Sequence, residues 1–303
     1  MNLLISENSQ PQERMEVFDS HCHYHLDSDG FDFFKQPAPS AESPQISKSS
    51  LCLMGTAEGD WDNLTKLAAS LRDDDKTGIW SHVHEGFGVH PWHAHRVSDK
   101  WLEQLEALLI ANPRAVVGEI GLDKVSKTPE TGKCEKEAQE RVFMAQWDLA
   151  CRLGRPVSVH CVKAHGFLSE LCRKSNPAPR TKQTAPLAPH PPVVGIHSYS
   201  GSADIAAQLV GLRATGTRYY FGFAHAINAR TPQLWDRLKG CLKVIPRDRV
   251  LLESDLENPE TKDEHLVTML ELLAKEWDVS VEEAARQTQE NAERFFSSFW
   301  KAN

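Results

Sequence analysis

Short apolar runs alternate with amphipathic stretches along nearly the whole chain. Apolar runs at Val17–Ser20, Leu51–Thr56, Gly86–His90, Ala115–Ile120, Pro156–His160, Val193–His197, Tyr219–Phe223 and Val250–Glu253 predict eight short strands. Between them, apolar residues recur at helical spacing. Helices are predicted at Trp61–Leu71, Trp101–Ala111, Cys134–Leu153, near His165–Cys172, Asp204–Arg213 and Pro232–Cys241, with two more closing the chain at Lys262–Glu276 and Val281–Phe296. In Cys134–Leu153 the apolar face is Val142, Phe143, Trp147, Leu149 and Ala150. Strands that alternate with helices pair in parallel through helical crossovers, and a closed α/β barrel of the TIM (β/α)8 type is the simplest such object. An open doubly wound sheet is the alternative, but no G-x-G-x-x-G follows any strand.

Composition fits that picture. At 303 residues, with 40% apolar and 25% charged side chains, the chain is long enough for one barrel domain over residues 1–303. Two stretches break the rhythm and are expected as surface insertions. Residues 28–50 are rich in Ser, Pro and Asp, and residues 174–192 carry six prolines and several basic groups. Loop decoration is their simplest reading. Gripping of substrate by Arg173, Lys174, Arg180 and Lys182, or docking of a protein partner, are the functional ones.

The formal net charge of −8 argues against a protein that coats duplex DNA, because phosphate binding needs a basic face. An enzyme whose bound metals supply the positive charge escapes that argument. Seven cysteines, odd in number and without a C-x-x-C pair, suggest reduced thiols and hence the cytosol or nucleus. The polar stretch from Met1 to Glu16 has no apolar core of a secretory signal, so secretion is not expected. No apolar run approaches the length that crosses a bilayer.

In a barrel, catalytic groups stand at the C-terminal ends of strands. The first strand ends in Asp19-Ser20-His21-Cys22-His23, the third in Gly88-Val89-His90, and the fourth in Gly118-Glu119-Ile120. The fifth ends in His160, the sixth in His197, and the eighth in Glu253-Ser254-Asp255. Imidazoles and carboxylates are ligands for Zn, Mn and Fe, and carboxylates for Mg. His21 and His23, one residue apart in a strand, share a face. Glu119 can bridge two ions, and two ions can clamp and ionise a water. Asp255 can ligate, accept a proton, or both. Each residue alone has a plain reading: a surface pair, an ion-pair partner, a core histidine, a helix cap. Six ligand-type residues at the ends of five predicted strands are hard to reconcile with coincidence.

The motifs F-D-S-H-C-H, G-V-H-P, V-G-E-I-G-L-D, P-V-S-V-H-C, G-I-H-S-Y-S-G and L-L-E-S-D stand in the order expected of TatD-related deoxyribonucleases, and Glu290–Phe296 resembles that family's last helix. The resemblance implies a barrel of the metal-dependent hydrolase superfamily that cleaves DNA phosphodiester bonds, often as a 3′→5′ exonuclease. It implies two divalent ions (Mg, Mn or Zn). His21, His23, Glu119 and Asp255 would hold one, and Glu119, His160 and His197 the other. His90 and Lys163 would contact substrate, and Asp255 and Glu119 would be catalytic. The sequence departs from the family in reading Asp255-Leu256-Glu257-Asn258-Pro259 where D-A-P-Y-L is usual. It has Lys163 where an arginine is usual, which keeps the charge and loses the two-pronged grip on phosphate. With its two insertions it is similar to divergent fungal members.

Two other functions compete. Related barrels hydrolyse lactones, amides or phosphotriesters, many with a modified lysine where this chain has Glu119. A barrel reduced to an interaction module is the other, disfavoured by retention of the whole ligand set. Trp92, Trp101, Trp147 and Trp235 are candidates for base stacking or for packing. His82, His84, His93 and His95 are expected as solvent-exposed loop histidines, with a second metal site as the alternative. His165 is expected on a helix's first turn, in contact with substrate or in a capping or surface role, and Asp123 as an organiser of the loop near the metals.

Overall fold

The computed structural model describes residues 15–27, 33–34, 46–73, 80–174, 190–212 and 216–297. Its strands are β1 (Met15–Cys22), β2 (Ile46–Met54), β3 (Trp80–Phe87), β4 (Val116–Asp123), β5 (Val157–Val162), β6 (Val193–Ile196), β7 (Arg218–Ala224) and β8 (Val250–Glu253). They form one eight-stranded sheet in sequence order, each neighbouring pair parallel. Among the described residues the helices are α1 (Trp61–Asp73), α2 (Trp101–Ala111), α3 (Lys136–Leu153), α4 (His165–Lys174), α5 (Ala203–Gly211), α6 (Pro232–Leu242), α7 (Lys262–Trp277) and α8 (Val281–Ser297). This is the TIM-type barrel that the alternation predicts.

The first and last strands meet through polar groups. Asp255 N–H donates to His21 O (3.0 Å) and His23 N–H to Leu256 O (2.8 Å), just past the strand ends. Ser20 Oγ donates to Leu252 O (2.8 Å). Buried Asp19 accepts from Ser254 N–H (2.9 Å), Ser254 Oγ (2.6 Å) and Tyr24 Oη (2.7 Å). Burial pushes its carboxyl above the usual carboxylate range, and those donors offset the shift only in part.

Why these segments become strands is plain in β4, where every residue is buried, because one face lines the barrel and the other lies under helices. The crossover helix α3 buries Val142, Phe143, Trp147, Leu149 and Ala150 and stops at Gly154, whose φ of 62° supplies a left-handed cap. The last helix, α8, closes the N-terminal end of the barrel. Its Phe295 and Phe296 pack with Phe18, Val116, Val193 and Tyr220, and Phe296 stacks on Phe18 at 5.0 Å. In the same helix, buried Asn291 donates from Nδ2 to Arg247 O (2.7 Å) and Val250 O (2.8 Å), tying α8 to the start of β8.

The bounds of β2 and β3 differ from the sequence reading in ways that bear on the site. β3 starts at Trp80 and ends at Phe87, so His90 lies beyond the strand and caps a 3-10 helix, Pro91–Arg96. Consequently His82 and His84 belong to β3 rather than to a loop, and the His84 ring packs beside the stacked pair of Phe18 and Phe296 (centroids 5.6 and 4.6 Å). Burial lowers the His84 pKa to about 3. The Ser-rich stretch 28–50 is not all insertion, because its residues from Ile46 onward are the start of β2, buried from Ser49 on. Residues 28–32, 35–45 and 175–189, which carry most of the expected insertions with Arg180 and Lys182, lie outside the described residues.

Candidate metal centre

Strand periodicity brings His21 and His23 to one face at the end of β1, and their Nε2 atoms lie 3.2 Å apart. Glu119 faces them with Oε2, 3.3 Å from each Nε2. Asp255 Oδ1 stands 3.9 Å from His21 Nε2 and 3.6 Å from His23 Nε2. The other oxygen of Glu119, Oε1, faces a second set: His197 Nε2 at 2.6 Å, His160 Nδ1 at 2.9 Å and His90 Nε2 at 3.4 Å. His160 Nδ1 and His197 Nε2 are 3.1 Å apart. Among the described residues three groups have the spacing to hold an ion: His21, His23 and Asp255; His21, Glu119 and His197; His90, Glu119 and His160. The six residues expected at strand ends therefore converge, joined by His90.

The outer partners decide which nitrogens have a free lone pair. His23 Nδ1 sits 2.7 Å from Met54 O, a carbonyl that only accepts, so the proton is on Nδ1 and Nε2 is bare. His21 Nδ1 lies 3.0 Å from Ser158 Oγ, which fits the same tautomer. His160 Nε2 faces Asp123 Oδ2 at 3.5 Å, so a neutral ring carries its proton there and presents Nδ1 as a donor atom. His90 is the opposite case. Its Nδ1 accepts from Trp92 N–H (3.2 Å), which places the neutral ring's proton on Nε2, facing Glu119. His90 is thus built as a hydrogen-bond donor, and the others as acceptors.

Bare Nε2 atoms and carboxylate oxygens facing one another at about 3 Å repel unless a cation lies among them. Without a metal, protons take that place. Burial would raise the Glu119 carboxyl, but His197, His90 and His160 outweigh it and hold it well below the usual carboxylate range. Burial also opposes ionisation of Asp255, and its electrostatic interaction with His197, its hydrogen bond with His23 and the nearby His21 carry it below that range. Burial disfavours charge on His160 as well. Its bonds to Asp123 and Glu119 prevail and lift its pKa to about 9, and Asp255 and Glu119 lift His23 well above its ordinary value in the same way. His21, fully buried beside His197, falls to about 4. Burial keeps His90 well below its usual value and therefore neutral.

Asp123 behaves as the loop organiser that its position suggests. Oδ1 accepts from Val125 N–H (2.8 Å) and Ser126 N–H (2.9 Å), and Oδ2 accepts from Trp92 Nε1 (2.9 Å) while facing His160. Gly121, with φ of 155°, lets β4 pass β5 closely, since a Cβ there would lie 1.9 Å from His160 O. Lys163 is exposed just past β5, with φ of 55°. Left-handed φ also occurs at Ser198 (41°) and Asp255 (57°), so backbone strain gathers around the site.

Some neighbours were not foreseen. Ser158 precedes His160 by two and shares its strand face, a signal that period-two reasoning offers. Ser198 Oγ donates to Asp255 Oδ2 (3.0 Å), and Ser198 N–H donates to Glu253 Oε2 (2.8 Å). Burial drives the Glu253 carboxyl well above its usual range, and Asp255, Asp19 and Glu119 reinforce it, so it is a neutral structural acid. Nothing in the sequence singles out Ser198. His165 is not a surface residue; it is buried edge-on against Tyr199, with ring centroids 5.4 Å apart.

Known proteins resemble this chain in sequence and fold. An uncharacterized deoxyribonuclease of Saccharomyces cerevisiae is 27% identical over 92% of this chain and 99% of its own length. The Cut9-interacting protein scn1 of Schizosaccharomyces pombe is 29% identical over 65% and 66%, and a 3′-5′ ssDNA/RNA exonuclease TatD of Edwardsiella piscicida 31% identical over 55% of each. Among solved structures, a TatD homologue of Escherichia coli has a TM-score of 0.67 at 22% identity, covering 93% of this chain and 98% of its own. A TatD-family hydrolase of Entamoeba histolytica has a TM-score of 0.68 at 14% identity, covering 94% and 99%. These two share the fold. The family model for TatD related DNase matches residues 18–297, and the chain belongs to that family of metal-dependent hydrolases acting on phosphodiester bonds.

Proposed function

We propose that this protein is a deoxyribonuclease of the 3′→5′ exonuclease type that works with two divalent ions, Mg, Mn or Zn. The observation that carries the two-ion reading is the division of Glu119, with Oε2 given to His21 and His23 and Oε1 to His160 and His197. In this reading His21, His23 and Asp255 complete one ligand set, and His160 and His197 the other, with Glu119 common to both. The donor chemistry fits, because four imidazole nitrogens and two carboxylates converge on one space as potential ligand atoms. Bound ions supply Lewis-acid activation of a water and neutralise charge on the phosphoryl oxygens.

The chain's own residues do the rest. Asp255 is held as a carboxylate and positioned by Ser198 Oγ, so it is equipped to take the proton of the attacking water. His90 offers Nε2–H toward the same space, suited to a non-bridging or leaving oxygen of the phosphodiester. Lys163 provides an exposed positive charge for a flanking phosphate.

The test is cleavage of 5′- and 3′-labelled single- and double-stranded oligonucleotides by purified protein with Mg, Mn or Zn. Laddering from the 3′ end, abolished in Glu119→Gln, is the expected result. Failure to cut any strand under all three metals, or turnover of lactones in preference to p-nitrophenyl phosphodiesters, refutes it. A protein-binding role is the second reading, favoured by the name of the fission-yeast relative, with residues 28–50 and 174–192 as the docking segments. Seven free cysteines suit a reducing compartment, cytosol or nucleus, and among the described residues no helix is long and apolar enough to cross a membrane.

A further inference from the structure

The four tryptophans that could stack on bases separate clearly. Trp101 and Trp147 are buried, and Trp235 packs half-buried against the core. Trp92 is different: 49% of it is exposed, and it stands beside the metal centre. Its indole N–H donates to Asp123 Oδ2 at 2.9 Å, and its backbone N–H donates to His90 Nδ1. Its ring meets His90 edge-on, with centroids 4.8 Å apart at 89°, and lies 6.4 Å from His160. The polar edge of the indole is fixed and much of the rest is left in water. Val125, 59% exposed, is held by the same carboxylate.

We propose that Trp92 is the platform of a nucleobase subsite, on which a base flanking the scissile phosphate stacks while that phosphate sits over Glu119. This rests on the phosphodiester reading above and adds a substrate contact to it. Three observations support it. An indole fixed through Nε1 loses little freedom on stacking. Every base has a π face, so the contact serves an enzyme indifferent to sequence. With a net charge of −8, phosphate attraction is confined to the candidate metal site and Lys163, and a stacked base adds affinity that does not depend on it.

The experiment measures kcat and KM separately for wild type, Trp92→Ala and Trp92→Phe with Mn. One substrate is a labelled single-stranded oligonucleotide, and the other is the same strand with abasic residues on both sides of the cut phosphate. From the cost of removing one base–aromatic stack, Trp92→Ala should raise KM for the ordinary strand roughly 5- to 150-fold, chiefly without loss of kcat. Trp92→Phe, which keeps a ring and lacks the N–H, should recover most of that loss. The abasic strand should show a much smaller difference between wild type and Trp92→Ala. Equal losses on both substrates, no loss at all, or a Trp92→Phe variant as impaired as Trp92→Ala would overturn the proposal, the last assigning Trp92 to the Asp123 bond alone. Wild-type protein that loads Mn and cuts neither strand sinks the nuclease reading, and this proposal with it. Wild type that cuts while the Trp92 variants fail the pattern leaves the nuclease reading standing.

Discussion

Replacing Asp123 by Asn changes one oxygen for an amide of nearly the same shape, and the structure says where the change is felt. Oδ1 serves Val125 and Ser126, two backbone donors that only an acceptor can satisfy, so the side chain keeps its oxygen there. The new NH2 then faces Trp92 Nε1 and His160 Nε2. Facing a donor, His160 Nε2 becomes the acceptor, and the ring's proton moves to Nδ1, the atom that points at Glu119 and His197. A protonated Nδ1 cannot ligate. Loss of such an outer partner typically weakens metal binding by about 10- to 100-fold, or about 1.4–2.8 kcal/mol. The fold itself should lose about 1 kcal/mol or less, since half-exposed Trp92 can turn its N–H to water. Competition titration of Mn or Zn against a chelator, on metal-free wild type and Asp123→Asn, reads the affinity, and thermal melting of the metal-free forms reads the fold. Metal affinities within about twofold of each other would show that Asp123 does not set the His160 tautomer, and the reasoning fails.

Further outcomes follow from particular contacts. In metal-free protein, His160 and His23 hold protons more tightly than in the unfolded chain. Their stabilisation is therefore complete below pH 6.5 and is lost as pH rises toward about 9. Melting temperature should fall across that window and metal affinity should rise; a flat affinity–pH profile contradicts the assignment. Glu253→Gln should be nearly neutral in thermal melts, because the buried acid is already uncharged. A loss of several kcal/mol would mean that it is ionised. Asn291→Ala removes two buried donors to Arg247 O and Val250 O and should cost about 2–4 kcal/mol while leaving metal stoichiometry intact; unchanged melting counts against its role. Gly121→Ala drives a Cβ into His160 O and should destabilise by about 1–3 kcal/mol or more and lower metal content, both measurable on one purified sample.

The barrel, and the convergence of imidazoles and carboxylates at its strand ends, were legible because both are written in local pattern. A buried parallel strand is an apolar run, and a strand-end ligand is an imidazole or carboxylate where that run stops. Strand starts were harder. Trp80-Ser81-His82-Val83-His84 opens β3 with exposed and half-buried polar groups, and Ser49 and Ser50 are buried in β2 although their composition reads as loop. At the N-terminal rim, polar residues survive in strands because the sheet, not the side chain, holds them. Roles within the site were less legible than membership. That His90 donates while His23 accepts depends on Trp92 N–H and Met54 O, backbone groups that a sequence does not locate.

The polar junction of β1 with β8 has a consequence for how the molecule matures. His21 and His23 come from the first strand and Asp255 from just beyond the last, so that ligand set exists only after the ring of strands has shut. A cation captured there would act as a latch across the gap, favouring the closed form over any partly assembled chain by mass action. Catalytic competence and completion of the barrel would thus be one event, and a nascent chain lacking its final strand could cut nothing.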